Sequence, residues 1–256
     1  MSDFNRNIAT ARTGYRTDQV AIDAGLRAYM IRVYNYMAAG VALTGVVAWL
    51  TYQAAGGDAI HVVGNQITGL TAFGHAIFSG PLTLILFLGT LGLVFFLSFR
   101  ISRLEPGTAL GLFMLYAGVL GLMLASVFLT YTGLSITRVF FISAASFGAL
   151  SLYGYTTQRN LSPIGSFLIM GLIGLMLAIL VQIWLQSPGL NFAISVIGVL
   201  IFAGLTAYDT QQIKEMYDVQ DDGTVAGRKA VMGALRLYLD FINLFLMLLR
   251  LMGDRR

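Results

Sequence analysis

The 256-residue chain has no cysteine, four prolines and two histidines. Without cysteine there is no disulfide, no thiolate metal ligand and no thiol nucleophile. Charge is the next scarcity. Lys and Arg number 16 and Asp and Glu 12, together 11% of residues, whereas soluble domains carry about 25%. A net charge of +4 is too small an excess to indicate a nucleic-acid partner. Residues 1–30 contain no apolar run of seven or more, so no cleavable signal peptide is expected. What the chain has in quantity is hydrophobic sequence, 57% of residues, which excludes a disordered chain and an ordinary soluble enzyme.

A helix crosses a bilayer with about 20 mainly apolar residues. Six stretches qualify directly: Val33 to Ala54, Leu82 to Phe99, Ala109 to Thr130, Val139 to Thr156, Ile164 to Leu185 and Leu190 to Tyr208. A seventh, Val231 to Leu251, is long enough but carries Arg236, Asp240, Asn243 and Arg250, so it should not face lipid on all sides. Gly80-Pro81, Glu105-Pro106-Gly107, Ser162-Pro163 and Ser187-Pro188-Gly189 break the runs, since proline and glycine end helices and start turns. The expectation is an all-α membrane protein, a seven-transmembrane helix bundle with a buried central seventh helix. Residues 1–26 are expected as a flexible cytoplasmic tail, 27–253 as the membrane domain and 254–256 as a C-terminal tail. Small residues recur in the spans, as Gly107 with Gly111, Ala144 with Gly148, Gly171 with Gly174 and Gly198 with Gly204. Their expected role is close helix packing.

Lys and Arg favour the cytoplasmic side of a membrane. With the N-terminus inside and seven crossings, Arg6, Arg12, Arg16, Arg27, Arg32, Arg100, Arg103, Arg159, Lys214, Arg228, Lys229 and Arg236 lie inside, and only Arg138, Arg250, Arg255 and Arg256 outside. Trp49 and Trp184 both fall near the outer ends of their spans, where interfacial aromatics belong. If the last segment re-enters instead of crossing, Arg250, Arg255 and Arg256 join the inside and the asymmetry grows. Seven crossings is the expectation taken forward.

Two carboxylates resist this pattern. Asp209 follows the sixth run and Asp240 lies within the seventh, and an ionised Asp at the bilayer centre costs at least about 2.5–3.5 kcal/mol. If the sixth helix ends near Tyr217 and the seventh starts near Val231, Asp209 and Asp240 lie roughly 12 and 14 Å from the inner end at 1.5 Å per residue. They can therefore meet at one depth. Two carboxylates together in low dielectric cannot both stay ionised cheaply, so the pair holds a shared proton over some pH range. Removing that proton leaves a doubly negative site of hard oxygen ligands suited to Ca²⁺. Arg100, at the end of the second span, is a candidate latch that would compete with the proton and the cation. Arg236 and Asn243, one turn before and after Asp240, are supporting polar groups. A plainer reading has Asp240 neutralised within its own helix by these two, Asp209 as a solvated helix-end residue beside Lys214 and Glu215, and Arg100 as an anchor at the membrane surface. His61 and His75 lie in the connector between the first two spans, so no histidine is available on any span as a catalytic base. No phosphate-binding loop, dinucleotide fingerprint or zinc-protease motif occurs.

Taken together, AGLTAYDTQQIKEMY at Ala203 to Tyr217, LYLDFINLFLMLLRLMG at Leu237 to Gly253, SLYGYTTQRNLSPIGSFLIMGLIG at Ser151 to Gly174 and RISRLEPGTALGLFMLYAGVLGL at Arg100 to Leu122 resemble the transmembrane Bax inhibitor motif family, bacterial branch. The resemblance implies a bundle in which two three-helix layers enclose the seventh helix. It implies a pH-dependent calcium leak with a diaspartyl sensor at the positions of Asp209 and Asp240. It also implies a closed state held by an arginine at the position of Arg100. Another bacterial member modulates a membrane-bound quality-control protease; the cell-death role of eukaryotic relatives does not carry over.

The leading expectation is thus a pH-sensitive Ca²⁺ leak channel of the bacterial inner membrane, N-terminus cytoplasmic, gated by protonation of Asp209 and Asp240, which are also the candidate Ca²⁺ ligands. Its partners are the lipid bilayer, protons and Ca²⁺, with no permanently bound cofactor, no nucleic acid and no catalytic residue. The alternative is an interaction protein that modulates a membrane protease or a stress response. An intramembrane aspartyl protease also pairs a Tyr-Asp with a second Asp, but here the second lies in Tyr238-Leu239-Asp240 without preceding glycines, and no Pro-Ala-Leu occurs.

Overall fold

All four prolines stand in the first turn of a helix, where a missing N–H costs nothing and the fixed φ already suits the helix. Each break named above therefore starts a span. The computed structural model describes residues 2–63, 66–78 and 80–255, with side chains described from residue 24 onward apart from those of 61–67. Its elements are α1 (Ser2–Ala54), a 3-10 turn at Gly57–Ala59, an antiparallel hairpin of β1 (His61–Val63) and β2 (Gln66–Thr68), α2 (Ala72–Phe78), α3 (Pro81–Arg100), a 3-10 turn at Ile101–Arg103, α4 (Pro106–Leu124), α5 (Val127–Thr130), α6 (Gly133–Thr156), α7 (Ser162–Leu185), α8 (Pro188–Glu215) and α9 (Gly223–Met252). Seven segments are long and apolar enough to cross a membrane: Ala24–Ala54 of α1, Pro81–Arg103, Pro106–Thr130, α6, α7, α8 and α9. The protein is a seven-helix transmembrane bundle. The backbone of α1 runs through residues 2–26, and its apolar part begins at Ala24.

Four of the described helix starts carry side-chain caps, one of them that of α2, where Thr71 accepts from the Gly74 N–H at 3.1 Å. Thr132, Ser187 and Asp222 accept hydrogen bonds from the backbone N–H of Ser135, Leu190 and Val225 at 3.3, 3.4 and 2.7 Å, satisfying donors that no helical carbonyl reaches. The Asp222 cap corrects the expected start of the seventh helix near Val231. No apolar run marks residues 223–230, which include Thr224, Arg228 and Lys229. Nevertheless Gly227 lies against Pro106, Ala230 is fully buried, and Arg228 Nε donates to the Leu104 carbonyl at 2.6 Å. The first two turns of α9 thus reach past the end of α8 onto the start of α4.

At its other end α9 is tied to the start of α6. Thr132 N–H donates to the Asp254 carbonyl at 3.1 Å, and Asp254 N–H donates to Ser135 Oγ at 2.9 Å. The helix passes from the end of the bundle that holds Leu104 to the end that holds Thr132 without turning back.

Helix α9 packs against α1, α4, α6 and α8 and is the most buried of the seven, 72% of its most apolar window against 11% for the α3 span and 17% for α7. Tyr238, Leu237, Leu244 and Leu249 lie among its fully buried side chains. The small-residue expectation holds for part of its list. Gly198 and Gly204 stand against Met247 and Leu168, and Gly171 against Ile201, whereas Gly107, Gly111, Gly148 and Gly174 face open space. The tightest backbone approach between helices is one the pattern did not single out: Gly154 of α6 meets the Ala207 carbonyl of α8.

A paired-carboxyl site between the sixth and seventh spans

Helices α8 and α9 run antiparallel, with Gly233 against Ile213 near one end of their contact and Gly198 against Met247 near the other. This register places Asp209 level with Leu237 and so within one turn of Asp240. The depth counted from helix ends does not survive, because α9 starts at Gly223 and α8 ends at Glu215. The meeting of the two carboxyls does survive: they lie within hydrogen-bonding reach of each other. An ionised carboxylate only accepts hydrogen bonds, so this bond forms when one of the two carries a proton.

The surroundings of the pair are unequal. Asp240 is 5% exposed, and its Oδ2 is buried with no hydrogen-bond partner. Asp209 is half-buried. Arg236, itself exposed, is close enough for its charge to act on both, yet Lys229 with Asp221 is the only ion pair within 4 Å among the described residues. Asn243 does not serve Asp240, since its Nδ2 donates to the Leu239 carbonyl of its own helix at 2.8 Å. Arg100 ends α3 exposed to the surroundings. His75 is exposed on the short α2.

Two hydroxyl networks position the helices that carry the pair, and sequence reading found neither. Tyr238, two residues before Asp240, has its hydroxyl 2.6 Å from Thr44 Oγ1 of α1. Thr44 places its own proton on the Gly40 or Ala117 carbonyl, so Tyr238 is the donor. Its ring meets Phe113 and Tyr116 edge-on, at centroid distances of 5.4 and 6.0 Å. Beside Asp209, the Thr210 hydroxyl donates to the Thr206 carbonyl at 2.7 Å. Ser151 of α6 must then donate to Thr210 at 2.9 Å, and Tyr34 of α1 to Ser151 at 2.5 Å. This run of donors ties α1, α6 and α8 together at the depth of Asp209. The partners lie 194, 117 and 59 residues apart in sequence, and no local pattern joins them.

The connection between α6 and α7 is held from α8. Gln211 accepts from Leu161 N–H and donates to the Arg159 carbonyl, both at 2.8 Å, and Lys214 Nζ donates to the Tyr155 carbonyl at 2.9 Å. Among the described residues, no group of three or more His, Cys, Asp or Glu could hold a metal ion. Ca²⁺ takes 6–8 oxygen ligands, so a cation at Asp209 and Asp240 would draw the rest from water or backbone carbonyls. Such a set suits brief occupancy by a passing ion better than tight retention.

Seven membrane-length helices define a polytopic membrane protein, one that brings two carboxyl groups together inside its bundle. The family model described as "Inhibitor of apoptosis-promoting Bax1" matches residues 26–256, and the chain belongs to this Bax inhibitor family. It is 44% identical to an uncharacterized protein of Rickettsia prowazekii, RP147, over the whole of both chains. It is also 46% identical to the inner membrane protein YbhL of Escherichia coli over 91% of this chain and 94% of that one. A third relative, YrjE of Lactococcus lactis, is 36% identical over 90% of this chain and 92% of its own length.

Proposed function

We propose that the protein is a pH-sensitive Ca²⁺ leak channel of the bacterial inner membrane, with its N-terminus in the cytoplasm and Asp209 and Asp240 as pH sensor and ion gate. The observation that carries the reading is the buried, unpartnered Oδ2 of Asp240 beside Asp209. A buried carboxyl oxygen without a donor is costly unless its group is neutral or meets a cation, and a proton or Ca²⁺ meets that need. With the proton shared, the pair bridges α8 to α9 and the pathway is closed. Loss of the proton turns the bridge into two like charges that repel each other and attract a divalent cation. In this reading the protein is a transporter, not an enzyme, and holds no permanent cofactor. Arg100 is its latch, and Arg236 is the nearby positive charge the entering ion must overcome. The inner-membrane placement rests on the printed name of YbhL, and the orientation on the concentration of Lys and Arg at one end of the bundle.

The test is Ca²⁺ flux into vesicles containing the purified full chain and a Ca²⁺-sensitive dye, at a low and a high pH. Wild type is expected to leak faster at the higher pH. Asp209→Asn and Asp240→Asn should each remove that pH dependence, and Arg100→Gln should raise the leak at the lower pH. Unchanged pH dependence in both Asp variants sinks the sensor. Absence of flux from wild type, with a membrane protease co-purifying in detergent, moves the reading to the modulating interaction protein.

A further inference from the structure

At the end of the bundle away from Leu104, a cavity of about 400 Å³ opens where α2, α3 and α4–α5 meet. Its walls are apolar, with Ile77 and Phe78 from α2, Leu86 from α3 and Leu122 and Leu129 from α4–α5. The adjoining outer face of α3 presents Leu82, Leu84 and Ile85 to the membrane. One charged residue lines it, Arg255. The backbone of Arg255 is held in place by a bridge to Tyr131, and the preceding Asp254 by its bonds with Thr132 and Ser135. The guanidinium has no carboxylate within 4 Å among the described residues. An apolar cavity closed by a single cation fits a molecule with a hydrocarbon body and one anionic end.

The hydroxyls in the cavity narrow the choice. Thr83 donates to the Ile77 carbonyl at 2.5 Å, Ser126 to the Met123 carbonyl at 2.8 Å and Thr130 to the Ser126 carbonyl at 3.4 Å. With their protons committed, these three oxygens offer only lone pairs to anything that enters. Arg255 is thus the donor for an anion, and the hydroxyls are acceptors for a headgroup that brings donors of its own.

We propose that this cavity is a binding site for an anionic phospholipid whose headgroup carries hydroxyls. The phosphodiester would pair with Arg255, which matches phosphate oxygens in bidentate fashion. The headgroup hydroxyls would donate to Thr83, Ser126 and Thr130, and an acyl chain would lie along Leu86, Leu122 and Ile77. The site lies apart from Asp209 and Asp240 and stands independently of the ion pathway.

Native mass spectrometry of the detergent-purified full chain tests it, with equimolar dioleoyl phosphatidylglycerol, dioleoyl phosphatidylcholine and dioleoylglycerol as probes. Phosphatidylglycerol is expected to be retained over dioleoylglycerol on the order of tenfold, the effect of one charge-assisted hydrogen bond to the phosphodiester, and over phosphatidylcholine by a smaller factor, the effect of its headgroup hydroxyls. Arg255→Gln should erase the preference over dioleoylglycerol, and Leu86→Trp, which fills the cavity, should lower phosphatidylglycerol retention whatever the charge. A gel-filtration profile like that of wild type verifies that each variant is folded. Equal retention of the three lipids by wild type, or a preference over dioleoylglycerol that persists in folded Arg255→Gln, overturns the proposal.

Discussion

Helices α7 and α9 are both membrane-length, yet they stand in opposite relation to their surroundings. Along α7 large apolar side chains point outward: Phe167 is 69% exposed and Trp184 91%. Only Gly165 and Leu175 are buried on it. Helix α9 carries Arg236, Asp240 and Asn243 and is 72% buried over its most apolar window, against 17% for α7. In water the more apolar helix would be the buried one. In lipid the apolar surface is already in a compatible solvent, so the helix with polar groups to satisfy goes inside. Burial in this protein follows the need for partners, and α9 finds them in Thr44, Asp209 and the backbone of its neighbours.

The contrast is broken most directly by removing equal volume from each helix. Leu237→Ala, at a fully buried position, should cost about 2–5 kcal/mol, read as a lowered melting temperature in detergent. Leu177→Ala on α7, at 59% exposure, should stay within about 0.5 kcal/mol. Equal losses at the two sites would show that α7 has a packing partner of its own. A smaller effect is expected from Gly154→Ala, whose new methyl would meet the Ala207 carbonyl. Forcing α6 away from α8 should cost about 1–3 kcal/mol, and the same melting assay would detect it; no change would mean that the helices separate freely. The smallest effect belongs to Tyr238→Phe, which removes the donor to Thr44 but leaves the ring against Phe113. Hydrogen bonds between membrane helices average about 0.6 kcal/mol, so a loss well above that would mean the bond also orients Asp240.

Much of this was legible in the sequence for one reason: a bilayer penalises misplaced charge heavily enough that each exception stands out. The spans, their proline starts and the meeting of Asp209 with Asp240 follow from that penalty. What was not legible depends on gentler energies. The first two turns of α9 are polar, so the apolar pattern begins eight residues late at Val231, although Asp222 three residues before Val225 is an N-cap signal that marks the true start. The paired strands at residues 61–63 and 66–68 and the short α2 lie in a connector too brief for periodicity to declare itself. The Tyr34, Ser151 and Thr210 hydroxyls resemble any other isolated polar residues in a span until the fold brings them together. Glycine spacing was a poor guide for the same reason, since Gly107 and Gly111 face open space while the unremarked Gly154 makes the closest backbone approach between helices.

The register between α8 and α9 also restricts how the protein can move. Gly233 receives Ile213 and Gly198 receives Met247, two notches about 21 Å apart along α9 at 1.5 Å per residue. Sliding α9 lengthwise by one turn would lift both side chains out of their notches and set them against bulkier neighbours. Any motion that parts Asp209 from Asp240 is therefore a roll of one helix about its own axis or a splaying of the pair. A disulfide between cysteines introduced at Gly198 and Met247 would pin the two helices at that notch, so that any remaining separation of Asp209 from Asp240 must pivot about a known point.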